Sequence, residues 1–391
     1  MKKETAKYQI ANLIRYIGDA FFYPFYALFL SSIGKTESEI GIVLMILPLI
    51  SLFSNPIWSL FAKNVNYNKK LVIIFTIVEA IAIVSLLAFT NLITIIIITI
   101  IIGAVNFPFY TLFESFTTVY TIESGESYSK IRLFGSLGYA IGVVVCGALI
   151  KLTGKYVASF FTIFGLYMIV VVLLLMIKPL KTSHIEEENK TNLKQLLANK
   201  NYVYFLVFYI IAVAALFSGD SFLGVYFKSR GIDESQFGMI SLGVYSLEVV
   251  FLLILSKYGE KMKATHILAL ISFLSAVRFL IYGLNAPFWL LVIGSFLRGF
   301  IMAAMLYIVV RHLSTYVRKE NITLGMIIFT SLENTFRMVL ILSGGFLIEK
   351  YNYNVFYVSL GIIVLLSGLF IDASQKKREV INLELEKQEE V

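Results

Sequence analysis

The sequence predicts an all-α polytopic membrane protein with twelve transmembrane helices in two six-helix bundles, and three observations carry that prediction. Of 391 residues, 58% are hydrophobic and 15% charged, where a soluble globule would carry roughly a quarter charged. Apolar runs such as Leu92–Gly103 and Ile169–Ile177 are too continuous to hide inside a water-soluble domain. A hydrocarbon core of about 30 Å takes about 20 apolar residues per helix, and twelve stretches of that kind follow one another along the chain.

The first stretch, 8–31, contains Arg15 and Asp19 and lacks a small-residue cleavage site, so it reads as a retained signal anchor. The stretches 39–61, 70–90, 92–120, 130–153 and 157–178 complete an N-terminal bundle, 1–178, with Glu79 in the third, Glu114 in the fourth and Arg132 in the fifth. A polar insertion containing Glu186, Glu187 and Glu188 reads as a cytoplasmic linker, 179–200. The stretches 201–228, 236–257, 264–284, 287–313, 320–349 and 354–373 form a C-terminal bundle, 201–373, followed by a charged cytoplasmic tail, 374–391.

Self-comparison supports two related halves. Thr36-Glu37-Ser38-Glu39-Ile40-Gly41 enters the second stretch as Asp233-Glu234-Ser235-Gln236-Phe237-Gly238 enters the eighth, 197 residues later. At the same offset, Gly147-Ala148-Leu149-Ile150 closes the fifth stretch and Gly344-Gly345-Phe346-Leu347-Ile348 the eleventh. Parallel repeats joined by a cytoplasmic linker suit two bundles that rock about a midplane site.

The formal charge of +8 is dispersed over short segments between apolar runs, which argues against a nucleic-acid partner. Of the 33 lysines and arginines, 22 fall in the termini and even-numbered junctions and six in the opposite loops. By the positive-inside rule both termini are cytoplasmic, and the protein is expected in the cell membrane. Cys146 is the single cysteine, and His184, His266 and His312 are scattered. No disulfide, metal centre or cofactor is therefore expected.

Five arginines remain inside the stretches: Arg15, Arg132, Arg278, Arg298 and Arg337. Six acids join them: Asp19, Glu79, Glu114, Asp220, Glu248 and Glu333. Each charge at the bilayer centre costs about 2.5–3.5 kcal/mol even on lenient scales, so these groups must face one another or a watered cavity. Six acids against five bases leave one acid over if the others pair. A desolvated carboxylate of that kind suits proton coupling, although a place at a wet helix end accounts for it equally well. Arg15 with Asp19, and Glu333 with Arg337, are spaced to share a helix face.

The segment Tyr128-Ser129-Lys130-Ile131-Arg132-Leu133-Phe134-Gly135-Ser136-Leu137-Gly138-Tyr139, in which Arg132 follows Glu114 by eighteen residues, resembles the oligosaccharide and nucleoside proton symporter branch of the major facilitator superfamily, the branch of lactose permease. The resemblance spans nearly the whole chain, including Asp19–Leu30 and Pro56. It implies that Glu114 and Arg132 hold substrate hydroxyls, that Tyr139 stacks on the ring, and that Asp19 belongs with them. A carboxylate accepting, a guanidinium donating in pairs and an aromatic face covering a sugar are reasonable chemistry on their own account. A purely structural bridge between the fourth and fifth helices is the plain alternative. Gly135 and Gly138 would let helices approach closely.

In the second half Glu248 and Arg278 resemble the branch's acid and arginine around which protons move. There are departures. Arg298 and Ile301 stand where the permease has a histidine and a glutamate, and Glu333 stands where it has a lysine. Proton coupling is accordingly expected at Glu248 and Glu333, assisted by Arg278 and Arg298, with the proton gradient as energy source.

The expected function is proton-coupled symport of a small hydroxyl-rich solute, an oligosaccharide or nucleoside, by a monomer in the lipid bilayer. The alternative is efflux of a drug or metabolite by proton antiport. The run Gly142–Gly147 lacks the proline that antiporters carry there, which favours symport. No H-E-x-x-H or equivalent supports an intramembrane enzyme, and a receptor is the remaining alternative.

Overall fold

The computed structural model describes residues 2–59, 65–180, 200–259, 264–316 and 322–369. Most of the expected linker 179–200 and all of the tail 374–391 lie outside these residues. Among the described residues every regular element is helical: α1 (Lys2–Phe22), α2 (Tyr26–Ser32), α3 (Glu37–Ser59), α4 (Val65–Ser85), α5 (Leu92–Ser124), α6 (Tyr128–Thr153), α7 (Val157–Met176), α8 (Lys200–Ser229), α9 (Glu234–Tyr258), α10 (Ala264–Gly283), α11 (Phe288–Tyr316), α12 (Ile322–Lys350) and α13 (Tyr353–Leu369). A 3-10 turn, Tyr23–Phe25, joins α1 to α2, so these two make one crossing. Pro24 lies in that turn, where its missing N–H interrupts the ladder.

Nine described helices are long and apolar enough to cross a membrane. Three of the twelve expected crossings are not among the nine. The first is broken at Pro24 and carries Arg15 and Asp19, the eleventh contains Glu333 and Arg337, and α13 is short. On α5, Ile95 and Ile102 are fully buried while Ile93 is 67% and Ile97 52% exposed. An outward isoleucine face reverses the habit of water-soluble helices and fits a hydrocarbon solvent.

The chain forms two compact units. The first contains α1–α7 together with Asp220–Leu242 and Ile341–Glu349. In it α1 packs on α6 and α7, α4 on α5 and α7, and α3 on α5. Tyr8 stacks on Tyr120 at 4.0 Å, and buried Phe75, Phe109, Phe113 and Phe116 fill the space around α1 and α5. Gly138 is the tightest crossing of α1 and α6, because a Cβ there would run into the Leu13 carbonyl. Gly138→Val is expected to destabilise the protein by about 1–3 kcal/mol through overpacking, read as a lower thermal unfolding midpoint in detergent. Gly165→Val, where a Cβ meets nothing, is the control that should unfold like wild type.

The repeat motifs meet each other in this unit. A Cβ on Gly41 would lie 3.0 Å from the Gly345 Cα, and one on Gly238 would lie 2.7 Å from the Val143 carbonyl. Gly147 has the same kind of contact with the Glu234 carbonyl. One 197-residue repeat therefore supplies a glycine contact twice, α3 with α12 and α6 with α9. Polar bonds flank both. Ser38 N donates to Glu349 at 2.9 Å, Tyr156 Oη donates to Glu234 at 3.0 Å, and Lys151 pairs with Asp233 at 2.9 Å. The Lys151 ammonium, with the Gln236 backbone amide, holds the Asp233 carboxyl below the usual carboxylate range.

In the second unit α10 packs on α11. Tyr357 on α13 donates to the Gly219 carbonyl at 3.0 Å, and Ser272 on α10 donates to the Val364 carbonyl at 2.7 Å. A Cβ on Gly299 would lie 2.6 Å from the Val244 carbonyl, so α11 lies directly against α9.

Candidate substrate site

Gly125, with φ of 69°, ends α5 in the left-handed region, and α6 begins three residues later. This turn places Glu114 and Arg132 on consecutive helices of the first unit. Arg132 Nε lies 3.7 Å from Glu114 Oε1, and the side chains are 38% and 46% exposed. Such an open pair contributes little to stability, and both partners keep capacity for a third group. Arg132 Nη1 carries no hydrogen bond among the described residues.

The guanidinium lies 4.5 Å from the Tyr16 ring. Gly135 makes room for that stacking, since a Cβ there would lie 2.8 Å from the Tyr16 ring and 2.9 Å from Arg132 Nη1. Tyr139 is seven residues beyond Arg132, about two helical turns, and so shares its face. It is half-buried on α6. The arrangement offers an acceptor, a forked donor and an aromatic wall on adjoining helices, which is what a polyhydroxylated ring requires.

Asp19 lies deeper and is 2% exposed. Tyr167 Oη donates to its Oδ1 at 2.7 Å, Tyr110 Oη donates to Oδ2, and Arg15 Nη2 lies 3.3 Å away. Arg15 Nη2 also bonds Glu79 Oε2 at 2.7 Å. The sharing of a helix face by Arg15 and Asp19 is visible in their spacing. Glu79 was marked by its charge inside an apolar stretch, but its partner, and the contributions of Tyr16, Tyr110 and Tyr167, have no local sequence signature, because each depends on which helices become neighbours.

In the second unit Glu248 Oε2 lies 3.5 Å from Arg298 Nη1, on the α9–α11 contact fixed by Gly299. Arg298 also lies 5.5 Å from the Tyr245 ring. Arg278 is fully buried on α10, 5.2 Å from the Tyr282 ring. Glu333 is 8% exposed on α12, one turn before Arg337, which covers the Phe217 ring at 4.9 Å. Among the described residues no group of three or more His, Cys, Asp or Glu is arranged to hold a metal ion.

A family model described as the MFS_1 like family matches residues 13–359. The chain is 22% identical to the "Uncharacterized transporter YwbF" of Bacillus subtilis over 366 residues, covering 91% of this chain and 88% of the relative. It is 19% identical to the "Maltose permease" of Geobacillus stearothermophilus, with 91% of each covered. It is 23% identical to the "Probable 3-phenylpropionic acid transporter" of Escherichia coli, with 90% and 92% covered. Among solved structures, a mutant of the nucleoside transporter NupG superposes with a TM-score of 0.84 at 15% identity, covering 95% of this chain and 99% of that one. A POT family transporter in complex with a thioalcohol-conjugated peptide superposes with a TM-score of 0.73 at 11% identity, covering 96% of each.

Proposed function

The chain belongs to the MFS_1-like family of multi-pass membrane transporters, and from that premise we propose that it carries a small hydroxyl-rich solute, an oligosaccharide or nucleoside, together with protons by alternating access. The observation that carries this reading is the open Glu114–Arg132 pair at 3.7 Å, with Tyr139 on the same helix face as the arginine. A carboxylate there accepts from hydroxyls, the guanidinium fork donates to them, and the ring covers the apolar side of the solute. Maltose and nucleosides, named for two of the similar transporters, are hydroxyl-rich. The third relative is named for an aromatic acid, which makes that class the comparison to include. The protein acts as a monomer in the cell membrane, with both termini cytoplasmic.

Proton coupling in this reading falls on Glu248 and Glu333 in the second half, assisted by Arg278 and Arg298. A carboxylate near an arginine in a partly dry cavity changes proton affinity as water enters and leaves. Uptake into proteoliposomes tests the whole reading, using oligosaccharides, nucleosides and aromatic acids with and without an inward proton gradient. One hydroxyl-rich class should accumulate above equilibrium only with the gradient. Failure of every such solute to accumulate would overturn the proposal. Glu248→Gln and Glu333→Gln are expected to retain counterflow and lose uphill accumulation. If both still accumulate solute, these residues are not the carriers.

A further inference from the structure

The crossings alternate in direction, so the connections after α2, α4, α6 and α8 fall on the membrane face opposite the N-terminus. The loops of that face are poor in cations, with six lysines and arginines in all. Three of the six, Lys151, Lys155 and Lys228, line one cavity of about 520 Å³ in the first unit, and all four connections contribute to its wall. That is the size of a small-molecule site. Lysine is scarce on the face opposite cytoplasmic termini, so its gathering at one cavity calls for a use.

Local geometry brings the lysines there. Gly154, with φ of 66°, ends α6 in the left-handed region, and Thr153 Oγ1 donates to the Lys155 carbonyl at 3.0 Å, so Lys155 stands outside both α6 and α7. Lys151 occupies the last turn of α6 and Lys228 the last turn of α8, where ammonium groups suit the carbonyl ends of helices. Lys151 is paired with Asp233 and Lys228 with Glu234, each at 2.9 Å. Lys155 is exposed and forms no ion pair among the described residues. Three ammonium groups therefore meet two carboxylates, and one positive charge is left over at the cavity.

Much of the remaining wall is apolar, including Leu86, Phe89 and Val157. From Val157 an exposed ridge runs along α7 through Phe161 and Phe164, which are spaced to share a face, while Phe160, Ile163 and Tyr167 are buried on the other side. A free inorganic anion has no use for that ridge. An amphiphile does, because its charged end and its chain meet the two surfaces at once.

We propose that the cavity holds the headgroup of a phospholipid with one net negative charge, its phosphate on Lys155 with Lys151 and Lys228 beside it, and its acyl chains along Val157, Phe161 and Phe164. One phosphodiester balances the charge left over. A zwitterionic lipid would bring an ammonium group of its own against three others, with Asp233 and Glu234 already engaged. Arg132 stands near the start of α6 and Lys151 in its last turn, so the lipid site lies at the far end of that helix from Arg132 and is independent of the solute reading.

Native mass spectrometry of the purified full chain tests this, after exchange into detergent with equal amounts of phosphatidylglycerol and phosphatidylcholine of the same acyl chains. Wild type should retain phosphatidylglycerol in preference. Lys155→Gln removes one ammonium group without breaking an ion pair, and should reduce the preference about fivefold, the worth of one lysine at an anionic membrane surface. Thr90→Asp puts a carboxylate into the same cavity and should reduce it at least as much. Lys350→Gln, at a lysine of the same membrane face outside the cavity, is the control that should keep it. Equal retention of the two lipids by wild type overturns the proposal, as does a preference unaltered in either cavity variant or reduced equally by Lys350→Gln. Inorganic phosphate, added at the lipid concentration, should leave phosphatidylglycerol in place; displacement would assign the cavity to a free anion and remove the lipid.

Discussion

Glu114→Gln is expected to weaken solute binding by roughly 10- to 100-fold while the protein still inserts and folds. The carboxylate accepts charge-assisted hydrogen bonds, whose loss is worth about 1.5–3 kcal/mol, and tenfold in affinity corresponds to about 1.4 kcal/mol. Glutamine keeps the length of the side chain and its helix propensity, and the group is 46% exposed, so the fold loses little. Calorimetric titration of purified protein with the solute identified by uptake checks this. Arg132→Lys should weaken binding as well, because a point charge replaces a planar fork. Unaltered affinity in Glu114→Gln would remove this residue from the solute site.

Arg15→Met should cost about 3–5 kcal/mol, the penalty for removing one partner of a buried pair and leaving the other uncompensated. Glu79 then stands in a closed pocket with only Tyr23 and Asn106 as donors. The same change at Arg132, whose side chain is 38% exposed, should cost no more than about 1 kcal/mol, as for other open pairs. Thermal unfolding of the two variants in one detergent makes the comparison. Equal midpoints would mean that the buried cluster contributes no more to stability than an accessible pair.

The crossings were legible in the sequence because bilayer thickness fixes their length, and even the first was marked by Arg15 and Asp19 inside an otherwise apolar run. The 197-residue repeat was read as two related halves, and the structure adds that its motifs make a pair of related contacts, Gly41 with Gly345 and Gly147 with Glu234. Glu114 and Arg132 were found by resemblance, and the structure brings them together. What remained hidden was partnership across helices. Charge spacing along one helix reports its own faces but not which neighbour each face meets, so neither Glu79 beside Arg15 nor Tyr16 beneath Arg132 could be deduced. For the same reason the 3.5 Å contact of Glu248 with Arg298 was not read from the sequence, where resemblance grouped Glu248 with Arg278. Asp19 was grouped with the solute residues for its position on the first helix, and its enclosure by Tyr110 and Tyr167 emerges only from the packing of α1 on α7 and α5.

Solute-driven proton movement tests the central claim most directly. Proteoliposomes holding a pH-sensitive dye, with no imposed proton gradient, would be given the solute from outside. Symport predicts that the lumen acidifies as solute enters, that a protonophore abolishes the signal, and that Glu114→Gln needs a correspondingly higher solute concentration for entry and acidification alike. Solute entry with no change in lumenal pH, or with alkalinisation, would contradict it.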